Sequence, residues 1–141
     1  MLCINILGFD IGGTKCAVSV SEKGSGKIKD KIRFDTKVER GWREIVDELI
    51  SSARKLLETN GISADNVISC GVSCGGPLDP EKGIIMCPPN LPDWDNVPLA
   101  DIIKNELGFT VNIGVGSNKL LAICFNFVPK TFLKWGKLVY I

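Results

Sequence analysis

Histidine is absent from this 141-residue chain, and no carboxylate side chain follows Glu106. Without an imidazole, the six cysteines (Cys3, Cys16, Cys70, Cys74, Cys87 and Cys124) cannot complete a Cys/His zinc site. The spacing of Cys70 and Cys74 is C-x3-C, and most of the six lie in apolar, strand-like runs such as "VISCGVSCGG" and "GIIMCPP". There cysteine acts as a small buried hydrophobe, so neither a zinc site nor a disulfide framework is expected, and a reducing cytoplasm fits best. An excess of one charge is also missing: 17 basic residues face 16 acidic ones. Bulk electrostatics therefore favours neither nucleic acid nor an anionic membrane. No apolar run approaches the roughly 18 residues of a spanning helix. The opening "MLCINILGF" has no basic leader or small-residue cleavage site, so no signal peptide is expected. Internal repeats and low-complexity linkers are likewise absent.

The chain does hold enough apolar material for one compact domain, at 45% hydrophobic against 23% charged residues. Residues 3–9 form an apolar run typical of a strand buried on both faces. "CAVSVSE" and "KIKDKIRFDT" alternate in character, with turns at Gly12–Gly13 and at Gly24 and Gly26, which predicts a three-stranded meander. Over residues 41–60 the period changes. Trp42, Ile45, Val46, Leu49, Ile50, Ala53, Leu56 and Leu57 recur at steps of three and four, one stripe of a helix that Gly61 should stop. "NVISCGVSC" reads as a buried strand, "GGPLDPEKG" as a loop and "GIIMCPPN" as a short strand. "NVPLADIIKNELG" predicts a helix with Asn96 as N-cap, Pro98 in its first turn and Gly108 after its end. "FTVNIGV" reads as a strand, "SNKLLAICFNF" as a helix capped by Ser117, and "KLVYI" as a strand that starts with nothing to follow. The order βββ-α-β-(β)-α-β-α-β points to an α/β domain with a mixed sheet.

The glycines of "LGFDIGGTK" carry the first chemical question. From Gly8 to Gly13 the spacing is that of a P-loop, but Thr14 precedes Lys15 and a strand follows instead of a helix. The dinucleotide pattern G-x-G-x-x-G is absent as well. A hairpin with a Gly-Gly turn is the plainest reading. The alternative uses Asp10: a carboxylate ending a buried strand can serve a metal while the adjacent glycine turn receives a phosphate.

"FDIGGTKCAVSV" resembles the first phosphate motif of sugar kinases in the actin-like ATPase superfamily. "CGVSCGGPLDPEKGIIMCPPNLPDWDNVPL" is similar to the strand, Gly-Gly-Pro loop, short strand and Pro-Asn-Leu-x-x-Trp pattern of the ROK group (repressors, open reading frames, kinases), which includes bacterial glucokinases. The likeness runs to about Ile113. It implies an α/β domain of actin-like, ribonuclease H-like type with a mixed central sheet flanked by helices. It also implies that Gly12, Gly13, Thr14 and Lys15 face the phosphates of ATP, with Asp10 on the Mg2+ side. Gly75 and Gly76 would admit a hexose close to the backbone, and Asn90 and Asn118 would hydrogen-bond it. Read alone, Asn90 is also a plausible turn residue before Leu91-Pro92, and Trp94 reads as packing rather than a sugar platform.

Two departures qualify the resemblance. Kinases of the group carry Glu-Asn-Asp-x-Asn after the strand that here reads "VNI", and the Asp is their general base. This chain has Gly114, Val115 and Gly116 at the Glu, Asn and Asp positions, and only Asn118 matches. The group's second domain, with its further glycine-rich loop and zinc site, is not expected within these 141 residues. Residues 1–135 would then be the N-terminal domain, and residues 136–141 would open the second. The expected function is the N-terminal half of an ATP-dependent, glucokinase-like hexose kinase, weak or inactive as this chain. The alternatives are a non-catalytic sugar-binding regulatory module and a stand-alone oligomerisation domain. With only residues 1–5 ahead of or opening the first strand, no helix-turn-helix is expected. The apolar tail from about residue 124 to 141 suggests self-association into a homo-oligomer.

Overall fold

A computed structural model of the chain describes residues 4–23, 25, 27–109, 113–116 and 139–140. Three strands open it: β1 (Asn5–Ile11), β2 (Lys15–Glu22) and β3 (Ile28–Asp35). Helix α1 (Trp42–Thr59) follows, then β4 (Val67–Cys74), the short strands β5 (Leu78–Asp79) and β6 (Ile84–Ile85), helix α2 (Leu99–Leu107), β7 (Ile113–Gly116) and β8 (Val139–Tyr140). Six strands form one mixed sheet in the order β3-β2-β1-β4-β7-β8, and β5 and β6 pair as a separate small ribbon. β1 runs antiparallel to β2 and parallel to β4, which is parallel to β7.

Side chains alternate between the faces of a strand, and register partners share a face. One face therefore carries Leu7, Phe9 and Ile11 beside Val20, Val18 and Cys16 on β2 and Cys70, Val72 and Cys74 on β4. All are buried in a single core with both helices. Beyond Ile6, the other face carries small or polar residues toward the strand ends that hold the turn: Gly8, Asp10, Ala17, Ser19, Gly71 and Ser73. The helix stripe read at steps of three and four buries Ile45, Val46, Leu49, Ile50, Ala53, Leu56 and Leu57. Only Trp42 stays half-exposed, its ring covered by the Arg43 guanidinium 4.5 Å from the centroid.

Gly61 ends α1 as expected. At φ 63° it adopts the left-handed conformation, its N–H donates to the Glu58 carbonyl and that of Ile62 to the Leu57 carbonyl. This is the paired closure that a glycine after a helix permits.

Several local expectations change. Asn96 does not cap α2: it sits at φ 51°, and the N-cap is Pro98, without a side-chain hydrogen bond. Val97 and Ile85 exchange both backbone hydrogen bonds at 2.9 Å, so Val97 is held in an extended pairing and the helix cannot begin earlier. "GGPLDPEKG" is more ordered than a loop. Leu78 and Asp79 pair with Ile85 and Ile84, and the Asp79 carboxylate accepts the N–H groups of Glu81 and Lys82 to close the turn. Cys87 is exposed rather than buried, with its thiol donating to the Pro92 carbonyl at 3.1 Å. "KLVYI" also finds a partner, since Val139 and Tyr140 pair antiparallel with Val115 and Gly114 at the sheet edge. The turn glycines Gly24 and Gly26, the expected helix over 117–127 and most of the tail proposed for self-association lie outside the described residues. Among the described residues, no helix is long and apolar enough to cross a membrane.

Core and turn should respond differently to substitution. Leu49 is fully buried, so Leu49→Ala should cost about 2–5 kcal/mol. An added Cβ at Gly61 meets nothing within 4 Å, so Gly61→Ala should cost only the left-handed penalty, about 1–2 kcal/mol. Urea denaturation of both variants checks the order; a costlier Gly61→Ala would mean the core is misassigned.

Candidate active site

β1 delivers Asp10 to the sheet end, and the chain then reverses through Gly12, Gly13 and Thr14 into β2. The Gly12 N–H donates to the Lys15 carbonyl at 3.0 Å. Neither Gly12 nor Gly13 lies at positive φ. Their role is space: a Cβ on Gly12 would lie 2.9 Å from the Lys15 carbonyl oxygen, and one on Gly13 would lie 2.7 Å from that of Asn90. A Cβ on Gly75, just past the end of β4, would meet the Asn90 Oδ1 at 3.0 Å. The two glycine motifs thus close on one asparagine. Asn90 itself stands in a turn in which the Leu91 N–H donates to the Pro88 carbonyl at 2.9 Å. The turn reading and the proximity to the glycines both hold.

Beside these contacts lies a cleft of about 350 Å³, walled by Asp10, Gly12, Lys15, Arg33, Ser73 and Gly75 together with Ile11, Cys16, Ala17 and Cys74. It sits where the parallel strands β1 and β4 end, the usual ligand position in α/β sheets. Of the residues singled out in the sequence, Asp10, Gly12, Lys15 and Gly75 line it. Gly13 and Asn90 lie against each other outside its lining, and Thr14 and Gly76 are not among its described walls either. Gly116 belongs to β7 and stands in register with Ser73, which is in register with Asp10. The position expected for a catalytic carboxylate therefore lies in the Asp10 row, two strands across, and holds none. Asn118 lies outside the described residues. Trp94 is buried, so it packs the core and offers no platform for a sugar.

Lys15 forms an ion pair with Asp35, its cross-strand partner in β3. The hydrogen bond and charge of that ammonium hold the Asp35 carboxyl below the usual carboxylate range. Burial pushes the thiols the other way. Cys16 is raised, and Cys74 is pushed up to about 12 by burial and by the neighbouring Cys16. Both stay protonated at neutral pH and serve the wall as inert packing. Among the described residues no three His, Cys, Asp or Glu side chains gather as a metal site. A single carboxylate, Asp10, beside two cations and a tight backbone turn fits Mg2+ brought with a phosphate, since that ion needs only one or two carboxylates from the protein and keeps several waters.

Thr36 was not anticipated. It is fully buried at the end of β3. Its hydroxyl donates to the Gly12 carbonyl at 2.7 Å, and its N–H donates to the Thr14 carbonyl at 2.8 Å. The Arg40 Nε donates to the Thr36 carbonyl at 2.9 Å. One residue thus pins both ends of the glycine turn across 24 positions of sequence. No local pattern announces such a tie.

The ROK family model matches residues 6–122. The chain belongs to the ROK family. It is 36% identical over 106 residues to a glucokinase of Thermotoga maritima, covering 74% of this chain and 31% of the relative. Among solved structures it is similar to the ROK hexokinase of Thermus thermophilus, with a TM-score of 0.63 and 26% identity, covering 79% of this chain and 35% of that one. A ROK family transcriptional regulator, homologous to the E. coli MLC protein, superposes with a TM-score of 0.66 at 18% identity, covering 82% of this chain and 28% of that one. That last likeness shows the fold alone. The chain spans about a third of the length of these relatives. The fold shared with the kinases is the actin-like α/β arrangement expected from the motifs.

If Thr36 fixes the turn, Thr36→Val should destabilise the chain by about 1–3 kcal/mol, because the part-buried Gly12 carbonyl loses its hydroxyl donor and keeps only the weak Cys16 thiol at 3.9 Å. Thr36→Ser keeps the donor and should cost about 1 kcal/mol or less. Chemical denaturation compares them. A valine variant as stable as the parent chain would show that the hydroxyl does not hold the turn.

Proposed function

We propose that this chain is the phosphate-binding half of an ATP-dependent hexose kinase of glucokinase type. The observation that carries the reading is the convergence of Asp10, Gly12, Lys15 and Gly75 on one cleft, with Gly13 and Gly75 both seated against Asn90. In this reading Gly12, Gly13, Thr14 and Lys15 receive the phosphates of ATP, and Asp10 orients Mg2+. Magnesium-bound ATP supplies the transferable phosphoryl group and neutralises its charge. Gly75 and Gly76 keep a hexose close to the backbone, with Asn90 and Asn118 as hydrogen-bonding partners. The kinase names of the Thermotoga and Thermus relatives support the substrate class.

A second reading, a non-catalytic sugar-binding module, draws on Gly116. Glycine cannot take a proton from a sugar hydroxyl, and losing a positioned base typically costs about 10²–10⁴-fold in rate. Expressed alone, the chain should therefore turn over far below the roughly 1–100 s⁻¹ of ordinary kinases.

Calorimetry with Mg-ATP and with glucose, together with coupled ADP release, separates the readings. The kinase-half reading expects Mg2+-dependent ATP binding with negligible turnover. Glucose binding without ATP binding would favour the sensor, and binding of neither would sink both. Turnover at ordinary kinase rates would show that Gly116 is not the base position.

A further inference from the structure

Two cations line the cleft, Lys15 and Arg33. Lys15 is committed to Asp35. Arg33 stands two residues earlier on β3, exposed to solvent. Among the described residues, no hydrogen bond, ion pair or aromatic contact engages its guanidinium. The other arginines differ: Arg40 pairs with Glu48, Arg54 with Glu106, and Arg43 covers Trp42.

The sheet register fixes where Arg33 points. Arg33 is opposite Ala17, Ala17 opposite Asp10, and Asp10 opposite Ser73. Cross-strand partners share a face, so Arg33, Asp10 and Ser73 share the polar face of the sheet. Ala17 is the smallest side chain that could separate Arg33 from Asp10 without closing the gap between them. Adjacent strands lie about 4.8 Å apart, which puts the Arg33 and Asp10 backbones about 10 Å apart, within the span of a bound polyphosphate. An anion with one end at the 12–15 turn would bring its remaining oxygens between a metal-side carboxylate and an uncommitted guanidinium. Guanidinium is the cation best shaped for such oxygens, because its fork donates two parallel hydrogen bonds to one phosphate.

We infer that Arg33 is a phosphate-binding residue of this cleft, contacting the polyphosphate of a nucleoside triphosphate alongside the 12–15 turn. The inference rests on the phosphate-binding reading above and adds to it a cation outside both glycine motifs.

The test uses the full 141-residue chain and two probes, Mg-ATP and inorganic tripolyphosphate, measured by calorimetry. Lys31 is the control: it lies on the same face of β3, in register with Ser19, but does not line the cleft. Arg33→Gln should weaken both probes about tenfold, the worth of a charge-assisted hydrogen bond. Arg33→Lys should recover part of the loss, and Lys31→Gln should change affinity less than about twofold. Both glutamine variants remove one exposed charge, so bulk electrostatics alone would make them equal, and equal losses would overturn the inference. Unchanged binding in Arg33→Gln would overturn it while leaving the phosphate reading intact. A parent chain that binds neither probe would overturn both together.

Discussion

β1 is hydrogen-bonded along both edges, antiparallel to β2 and parallel to β4, and Leu7, Phe9 and Ile11 bury its inner face. It joins the opening antiparallel hairpin to the parallel part of the sheet. The hairpin side produces the glycine turn. The parallel side brings the end of β4, with Ser73 and Gly75, level with that turn. Without this double pairing the two glycine motifs, more than sixty residues apart in sequence, would have no reason to meet.

Backbone proximity then does what side chains cannot. Gly13 and Gly75 approach Asn90 so closely that a Cβ at Gly13 would collide with backbone, while one at Gly75 would meet only the Asn90 side chain. The tolerance of the site is therefore uneven: rigid at the turn and softer at the β4 end. Thr36 completes the rigid part from the far edge of the sheet. What the frame lacks is a carboxylate in the Asp10 row on β7, where Gly116 stands. In the proposed reading, a turn that receives phosphate with no carboxylate in that row would suit holding a nucleotide and would be poorly suited to activating an alcohol.

The parts legible in the sequence were those with a short period or a local rule. Alternation marked β2 and β3, the three-and-four stripe marked α1, and Gly61 marked its end. Asn96 misled because a good N-cap residue says nothing about Val97 being held by Ile85. The β5–β6 ribbon was hidden in a Gly- and Pro-rich stretch whose turn is closed by one aspartate, Asp79. In the site, the glycines, Asp10 and Asn90 stood out through motifs and a family resemblance. Thr36 and Arg33 did not, since their relation to the turn and to Asp10 exists only once β3 is in register with β2.

The central claim is that the 12–15 turn at the end of β1 receives phosphate. An amide-resolved NMR titration of the uniformly ¹⁵N-labelled chain with Mg-ATP tests it most directly. The account predicts that the amides of Gly12, Gly13, Thr14 and Lys15, with Gly75 across the cleft, shift first and furthest. Saturable binding that leaves those five amides unmoved, or that shifts only the exposed surface of α1, would contradict it.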